Sequence, residues 1–214
     1  MKKDDIRHAL RNHIPRKALD KCVNLIIRYN IDFRISPSRH TKYGDYQAPH
    51  QGNRHRITVN EDLNRYAFLI TFIHEVAHLT TWQSYTRVRF PHGHQWKQEF
   101  GRLMQYFLKN RIFPADIVEA LHRYLMNPAA TSCCDLQLQK ALHQYDKRKR
   151  GWKLLEDIEY NIPFLISNGR IFIKRRQLIK NFECTEINKR HTYLINPLME
   201  VRPLRSYRHL RRAG

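Results

Sequence analysis

The chain has 214 residues, of which 42% are hydrophobic and seven are scattered glycines, and this composition indicates a folded globular protein rather than a disordered one. Its 39 Lys and Arg residues outnumber 19 Asp and Glu residues, and the formal net charge of +20 predicts a polyanionic partner, most often nucleic acid. The length allows one large hydrophobic core, with or without a small second domain.

The cysteines form neither a disulfide framework nor a paired metal-binding pattern. No C-x-x-C pair occurs, and the adjacent Cys133 and Cys134 are poorly placed for a mutual bridge. The start of the sequence lacks the features of a secretory signal, and no apolar run reaches the roughly 18 residues of a membrane span. We therefore expect a soluble, cytoplasmic protein with reduced thiols.

The N-terminal part predicts one helix followed by three short strands. Apolar residues recur at helical spacing through residues 15–29. Residues 31–36 alternate between apolar and polar, and residues 42–48 and 55–60 are two further candidate strands. Three histidines in this part lack the spacing of metal ligands, so we expect them to face solvent: His40, His50 and His55.

A second helix is predicted from Leu63 to Trp82. It is apolar around almost its whole circumference, and a helix of this kind is buried. Asn60 is its predicted N-cap, followed by two acidic residues that favour the first turn. Three ionisable residues interrupt the apolar surface, in a dry place where such groups are costly unless paired or bound to a metal: His74, Glu75 and His78.

These three residues form the H-E-x-x-H pattern of zinc metalloproteases. His74 and His78 are four residues apart and therefore share one face of a helix, where two neutral imidazoles can hold one tetrahedral Zn²⁺. Glu75 lies beside the first of them, in position to hold a zinc-bound water and to accept its proton. The pattern needs a third ligand from further along the chain.

Three residues are candidates for this third ligand. His92 lies in a turn between a proline and a glycine, and His94 follows it closely. Glu99 lies on the next predicted helix, and thermolysin-type enzymes take a glutamate as their third zinc ligand.

The segment after the H-E-x-x-H helix carries a family resemblance. H-E-x-x-H followed by P-H-G-x-x-W-K, here Pro91 to Lys97, resembles the SprT-like zinc metalloprotease domain. H-E-x-x-H alone is shared by many zinc enzymes, whereas its combination with the second segment is much more specific. The resemblance extends from about Leu19 to Val201, more loosely outside the central segment.

The resemblance implies a fold, a metal site and an activity. It implies a zincin-like α+β domain in which His74, His78 and His92 bind one Zn²⁺ per chain and Glu75 is the general base of peptide-bond hydrolysis. It also implies relatives that degrade proteins attached to DNA. Three residues in this region are candidates for stabilising the oxyanion: Tyr85, Arg87 and His94.

Three more helices are predicted from the spacing of apolar residues, over residues 94–109, 114–125 and 135–145. Cys133 and Cys134 precede the last of them, and we expect small-residue packing there rather than a second zinc site. The basic run 147–150 is a predicted linker that separates the metalloprotease domain, residues 1–146, from the remainder.

Residues 151–201 predict a small antiparallel β module. The dipeptide Asn168–Gly169 between two apolar segments is a hairpin signal, and residues 182–187 and 191–195 predict a second pair of strands. Many SprT-like proteins end in a zinc ribbon with paired cysteines, but this module contains only Cys184. We therefore expect no structural zinc here.

Basic residues are concentrated in the linker, in the module and in a basic tail, residues 202–214. We expect them to contact DNA phosphates, with little sequence preference and a strong dependence on salt. The candidate nucleic-acid-binding residues are Lys147, Arg148, Lys149, Arg150, Arg175, Arg176, Arg205, Arg208, Arg211 and Arg212.

The sequence thus predicts a zinc-dependent metalloendopeptidase that acts on DNA-associated proteins and has no membrane partner. The alternative is a non-catalytic, basic nucleic-acid-binding protein in which zinc only stabilises the fold. Glu75 favours the enzyme, since a purely structural zinc site has no need of a carboxylate at that position.

Overall fold

The computed structural model describes residues 2–39, 42–50, 52–85, 90–126, 128, 135–147 and 150–204. Within these ranges the chain contains α-helices and two β-sheets, which confirms the predicted α+β class. The chain divides into two compact units, Met1–Asp146 and Lys147–Gly214. None of the helices in the described ranges is long and apolar enough to cross a membrane.

The first unit combines helices with a three-stranded sheet. Its helices are α1 (Lys3–Leu10), α2 (Leu19–Arg28), α3 (Arg65–Ser84), α4 (His94–Lys109), α5 (Ala115–Met126) and α6 (Leu136–His143). Its strands are β1 (Asp32–Ser36), β2 (Gly44–Gln47) and β3 (Arg56–Asn60). The central strand β3 pairs parallel with β1 and antiparallel with β2, so β2 lies at one edge of this sheet.

Helix α3 lies at the centre of the core of this unit. Its residues Phe68 and Phe72 pack edge-on against Phe33 of β1, and α4 packs along it through the fully buried Trp96 and Phe100. The buried stretch of α3 is continuous from residue 68 to residue 77, which confirms the prediction of a helix that is apolar all round. His74 and Glu75 are therefore held in the core rather than on the surface.

The N-terminus of α3 differs from the prediction. Asn64 caps the helix, because its Oδ1 accepts hydrogen bonds from two backbone N–H groups of the first turn, both at 3.0 Å. Asn60 instead ends β3, and its Nδ2 donates to the backbone carbonyl groups of Arg39 at 3.1 Å and Lys42 at 3.0 Å. The predicted cap was wrong because pairing with β1 continues through Asn60 and delays the start of the helix.

The second unit is a six-stranded sheet of antiparallel pairs with the strand order β4-β9-β5-β6-β7-β8. Its strands are β4 (Lys153–Leu154), β5 (Pro163–Leu165), β6 (Ile171–Gln177), β7 (Phe182–Glu186), β8 (Thr192–Ile195) and β9 (Glu200–Pro203). Both predicted strand pairs are confirmed, and Gly169 in the first turn has a φ of 84°, which favours glycine. The predicted end of the module at residue 201 is two residues short, because β9 extends to Pro203.

A buried lysine holds one side of this unit together. Lys174 of β6 is only 2% exposed, and its Nζ donates hydrogen bonds to the backbone carbonyl groups of Leu155 (2.9 Å), Glu156 (3.1 Å) and Ile158 (2.8 Å). The same ammonium group lies 3.9 Å from the centre of the Phe182 ring. These contacts offset the cost of burying a charge and connect β6 to the segment that follows β4.

Candidate metal centre

Helix α3 brings the first two candidate ligands together. His74 and His78 are one turn apart, and their Nε2 atoms are 3.3 Å from each other. The flanking residues of α3 are buried, and of the pair itself His74 is buried whereas His78 is half-buried. The local sequence alone therefore sets the separation of this pair.

The third histidine comes from the turn before α4. Gly93 caps that helix in an extended conformation, and its N–H donates to the carbonyl group of Phe90 at 3.1 Å, which closes the turn around His92. The Nε2 atoms of His92 and His74 are 3.2 Å apart. The candidate ligand atoms of His74, His78 and His92 all lie within 4.8 Å of one another.

These distances fit a tetrahedral zinc site. Two nitrogen ligands of a tetrahedral Zn²⁺ with ordinary Zn–N bonds are separated by about 3.3 Å. The two observed separations of 3.2 and 3.3 Å agree with that value. The three histidines can therefore hold a metal ion, with one further position available to another ligand.

The protonation state of the three imidazole rings also favours metal binding. Burial, followed by the neighbouring charges of His78 and His92, lowers the pKa of His74 to about 3. Burial and His92 lower the pKa of His78 to about 4, and burial also lowers the pKa of His92. Neutral imidazole is the form that binds zinc, so the centre is ready for a metal at neutral pH.

Trp96 orients the histidines from the core side. Its ring centre lies 4.6 Å from that of His74, 5.5 Å from that of His78 and 4.8 Å from that of His92, and its ring also stacks on Phe100. Its indole Nε1 donates to the backbone carbonyl group of His74 at 3.4 Å. Nδ1 of His74 is buried and has no hydrogen-bond partner in the described part of the chain, so packing rather than a carboxylate orients this ring.

Glu75 is buried beside the first histidine. It is 7% exposed, and burial, with a smaller contribution from Asp45, raises the pKa of its carboxyl group to about 8 against the opposing charges of Lys42 and Arg39. No described residue donates a hydrogen bond to this carboxyl group. Its oxygen atoms are therefore available to a water molecule or a substrate.

Sequence reasoning missed a second set of residues around the centre. Tyr46 of β2 stacks against His78, and its hydroxyl group is 3.0 Å from Nδ1 of His55. His55 also contacts Gln83 and Trp82 of α3. The expectation that His55 faces solvent was wrong, because these contacts leave it only 8% exposed. The alternation of β2 places Gly44 and Tyr46 on one face, but it does not reveal that this face meets α3.

Among the described residues, the other two candidates for the third ligand, Glu99 and His94, are not part of the histidine cluster. The side chain of Glu99 is 12% exposed and pairs with Arg102 at 2.6 Å. The expectation that Glu99 faces solvent if it is not a zinc ligand was therefore wrong. Burial alone would raise its pKa, but hydrogen bonds from Arg102 and Thr80 lower it. His94 is exposed at the first position of α4.

Among the oxyanion candidates, the Tyr85 hydroxyl group donates to Gln98 at 3.5 Å, and Arg87 lies outside the described residues. His50 is exposed as expected, whereas His40 lies outside the described residues. Cys133 and Cys134 also lie outside them, and Cys22 and Cys184 are free and buried.

Four of the candidate nucleic-acid-binding residues fall within the described ranges, and all four are exposed: Lys147, Arg150, Arg175 and Arg176. Arg175 donates to Asn161, and Arg176 pairs with Glu183 at 2.8 Å. The remaining candidates lie outside the described residues: Arg148, Lys149, Arg205, Arg208, Arg211 and Arg212.

Comparison with known proteins was made for the whole chain. No curated protein and no solved structure matches it significantly. Residues 13–117 match the model of the SprT-like family, and this segment contains the three clustered histidines and Glu75. Over residues 13–117, the chain is thus similar to the SprT-like family.

Proposed function

We propose that the protein is a zinc-dependent metallopeptidase of the SprT-like type that acts on DNA-associated proteins. The observation that carries this proposal is the cluster of three imidazole nitrogens within 4.8 Å of one another, with two of the separations, 3.2 and 3.3 Å, equal to those of tetrahedral zinc ligands, and with the buried Glu75 next to His74 on the helix. Similarity to the SprT-like family supports a metallopeptidase-like domain.

In this proposal, the three histidines bind the metal. His74, His78 and His92 would hold zinc through their Nε2 atoms, as neutral rings oriented by Trp96. Zinc held there supplies Lewis acidity, which polarises a peptide carbonyl group and makes water more acidic. Three histidine ligands would leave one coordination position for a water molecule or the substrate.

Glu75 acts as the general base in this proposal. Burial raises its pKa towards neutrality, and a nearby cation would oppose that rise. A carboxyl group poised near the working pH can accept a proton from the attacking water and return it to the leaving amine. Because no described residue holds the carboxyl group by a hydrogen bond, it can make both transfers without breaking a hydrogen bond of the described residues.

Metal analysis combined with activity tests the assignment. We expect wild-type protein to contain one zinc per chain, and His74→Ala, His78→Ala and His92→Ala each to lose it. Glu75→Gln should keep the zinc and lose cleavage of an unfolded protein substrate. Glu99→Ala is the matched control, since Glu99 pairs with Arg102, and it should keep both.

Two results would overturn the assignment. The third ligand would be wrong if His92→Ala kept its zinc while Glu99→Ala lost it. The catalytic role would be wrong if Glu75→Gln cleaved as fast as wild type. A wild type that binds DNA and zinc but cleaves no substrate would leave the non-catalytic alternative, in which zinc only stabilises the fold.

The DNA part of the proposal rests on the net charge of +20 and on the exposed Lys147, Arg150, Arg175 and Arg176. If the whole chain neutralises about six phosphates, its affinity for DNA should fall roughly a thousandfold between 50 and 200 mM salt. A full-length variant with these four residues changed to Gln should bind more weakly and show a shallower salt dependence.

A charge-matched control keeps this DNA test specific. It changes four exposed basic residues of the first unit to Gln: Arg11, Arg16, Lys17 and Lys109. We expect this control to retain most of the affinity. Equal losses in the two variants would assign DNA binding to overall charge rather than to the linker and β module.

A further inference from the structure

Gly44 of β2 lies directly against the candidate general base, Glu75. A Cβ atom at position 44 would lie 2.6 Å from Oε1 of Glu75, 3.0 Å from its Cγ and 2.7 Å from Cγ2 of Thr71. Real Cβ atoms essentially never lie under 3.0 Å from another heavy atom. The backbone of β2 is therefore in direct contact with the Glu75 side chain, and the space that any larger residue would need is already filled.

Glycine is required here for its size and not for its conformation. The glycines with a left-handed φ are Gly52, Gly151 and Gly169, so an L-residue at position 44 would not strain the backbone. A Gly44→Ala change therefore introduces steric contacts with Glu75 and Thr71 without requiring a strained backbone conformation. At the glycines with a left-handed φ, by contrast, substitution by an L-residue would strain the backbone.

Strand β2 cannot move away easily to make room. Gly44 is paired with Val59 of β3, and the carbonyl group of the preceding Tyr43 accepts a hydrogen bond from the N–H of Asn60 at 2.9 Å. Asn60 is 1% exposed, and its side chain binds the backbone just before β2. At the other end of the strand, Tyr46 stacks on His78. A methyl group at position 44 would therefore displace the Glu75 carboxyl group rather than the strand.

We propose that Gly44 is a positioning residue that sets the place of the Glu75 carboxyl group. Glu75 has three rotatable side-chain bonds and no described hydrogen-bond partner, so its position depends on what it packs against. α3 bounds it on one side and the bare backbone at Gly44 on the other. The role in catalysis rests on the proposed function, in which Glu75 is the general base.

The kinetic test compares Gly44→Ala with Gly101→Ala. Gly101 lies within α4, and a Cβ there would meet no atom within 4 Å, so it is a matched control. We expect Gly44→Ala to keep one zinc per chain and its KM, while kcat falls about a hundredfold, the cost of misplacing a catalytic group by about 1 Å. Gly101→Ala should leave zinc content, KM and kcat unchanged. A kcat of Gly44→Ala within about threefold of wild type would overturn the positioning role.

A second test measures the contact without any catalysis, in the metal-free protein. Gly44→Ala is expected to lower the melting temperature of wild type by several degrees. In a Glu75→Ala background this drop should shrink, because Oε1 and Cγ are gone, and in a Glu75→Ala, Thr71→Ser background it should vanish, because the last crowding methyl group is removed. An equal drop in all three backgrounds would overturn the contact.

The two tests separate the possible failures. If wild type cleaves no substrate, the proposed function and the catalytic role of Gly44 both fail, whatever the melting temperatures show. If wild type cleaves and Gly44→Ala cleaves equally well, only the positioning role fails. If Gly44→Ala alone does not fold, the Gly44→Ala, Thr71→Ser variant relieves the contact with the Thr71 methyl group and repeats the kinetic comparison against Thr71→Ser, with the same expected fall in kcat.

Discussion

The ring of Tyr46 lies parallel to the ring of His78, with ring centres 6.2 Å apart and planes inclined by only 5°. The hydroxyl group of Tyr46 is held by His55, and His55 is held in turn by Gln83 of the same helix as His78. Strand β2 thus orients the second candidate ligand from outside, while Trp96 contacts the same ring from the core. Such supporting contacts set the geometry of metal ligands.

Removing the Tyr46 ring should weaken metal binding. We expect Tyr46→Ala to lower zinc affinity about 10- to 100-fold, the usual effect of losing a residue that orients a ligand. Tyr46→Phe keeps the stacking and should lose less. Competition with a chromophoric chelator measures both, and Tyr106→Ala, on the exposed side of α4, is the control. Wild-type affinity in Tyr46→Ala would contradict the role of the stacking.

The metal-free protein should lose stability as the pH rises, because of Glu75. Burial raises the pKa of this group from 4.5 to about 8. Between these pH values the folded chain keeps a proton that the unfolded chain has released, so the stability that is fully present below pH 4.5 is lost as the pH rises through 8. The effect should reach about 2–4 kcal/mol.

Urea unfolding in the presence of a chelator, at pH 5 and pH 8, measures this loss for wild type and Glu75→Gln. Gln does not titrate. At pH 8 the free energy of unfolding of Glu75→Gln should therefore increase relative to that of wild type by about 2–4 kcal/mol. The histidines titrate in both proteins and cancel in the difference. Parallel stability curves would show that Glu75 titrates normally in the fold.

Loss of the Lys174 ammonium group should unfold the second unit readily. Lys174→Met removes the ammonium donor from three backbone carbonyl groups, through two buried hydrogen bonds and one part-buried one, and we expect a cost of about 2–4 kcal/mol. The control Lys180→Met removes an exposed lysine near the same strand and should stay within about 0.5 kcal/mol of wild type. Hydrogen exchange of the β6 amide groups measures the loss within this unit. Equal protection in both variants would contradict the role of these three bonds.

The second unit should be stable without a metal. Cys184 is fully buried, and burial raises the pKa of its thiol to about 11, so it stays protonated and is a poor zinc ligand. Cys184→Ser should lower stability by no more than about 1.5 kcal/mol and leave the zinc content unchanged. A second equivalent of zinc that disappears with this change would show a structural metal site that the sequence did not predict.

Helices with local signals were predicted well. The bounds predicted for α4, residues 94–109, are those of the structure, because Gly93 ends the preceding turn and apolar residues recur regularly after it. Helix α1 was not predicted, since Ile6 and Leu10 are the two buried residues in an otherwise polar segment. The short strands β4 and β9 were also missed, and β4 has only two residues, too few to show an alternation.

The part of the candidate site formed by residues close in the sequence was predictable, whereas the contacts that depend on tertiary packing were not. The spacing of His74 and His78 on one helix determines their separation, so sequence alone was sufficient. The contacts of Gly44, Tyr46 and His55 depend on how the sheet docks on α3, and no local pattern in β2 or β3 encodes that docking. These contacts required the structure.

The placement of Trp96 should make metal binding at the centre measurable by tryptophan fluorescence. This indole is fully buried, and its ring lies close to all three imidazoles. Its emission should respond to whatever occupies the histidines, so a paramagnetic ion such as Co²⁺ would quench it by energy transfer. Titration of the intact protein, followed by fluorescence, could then count and rank metals without any substrate.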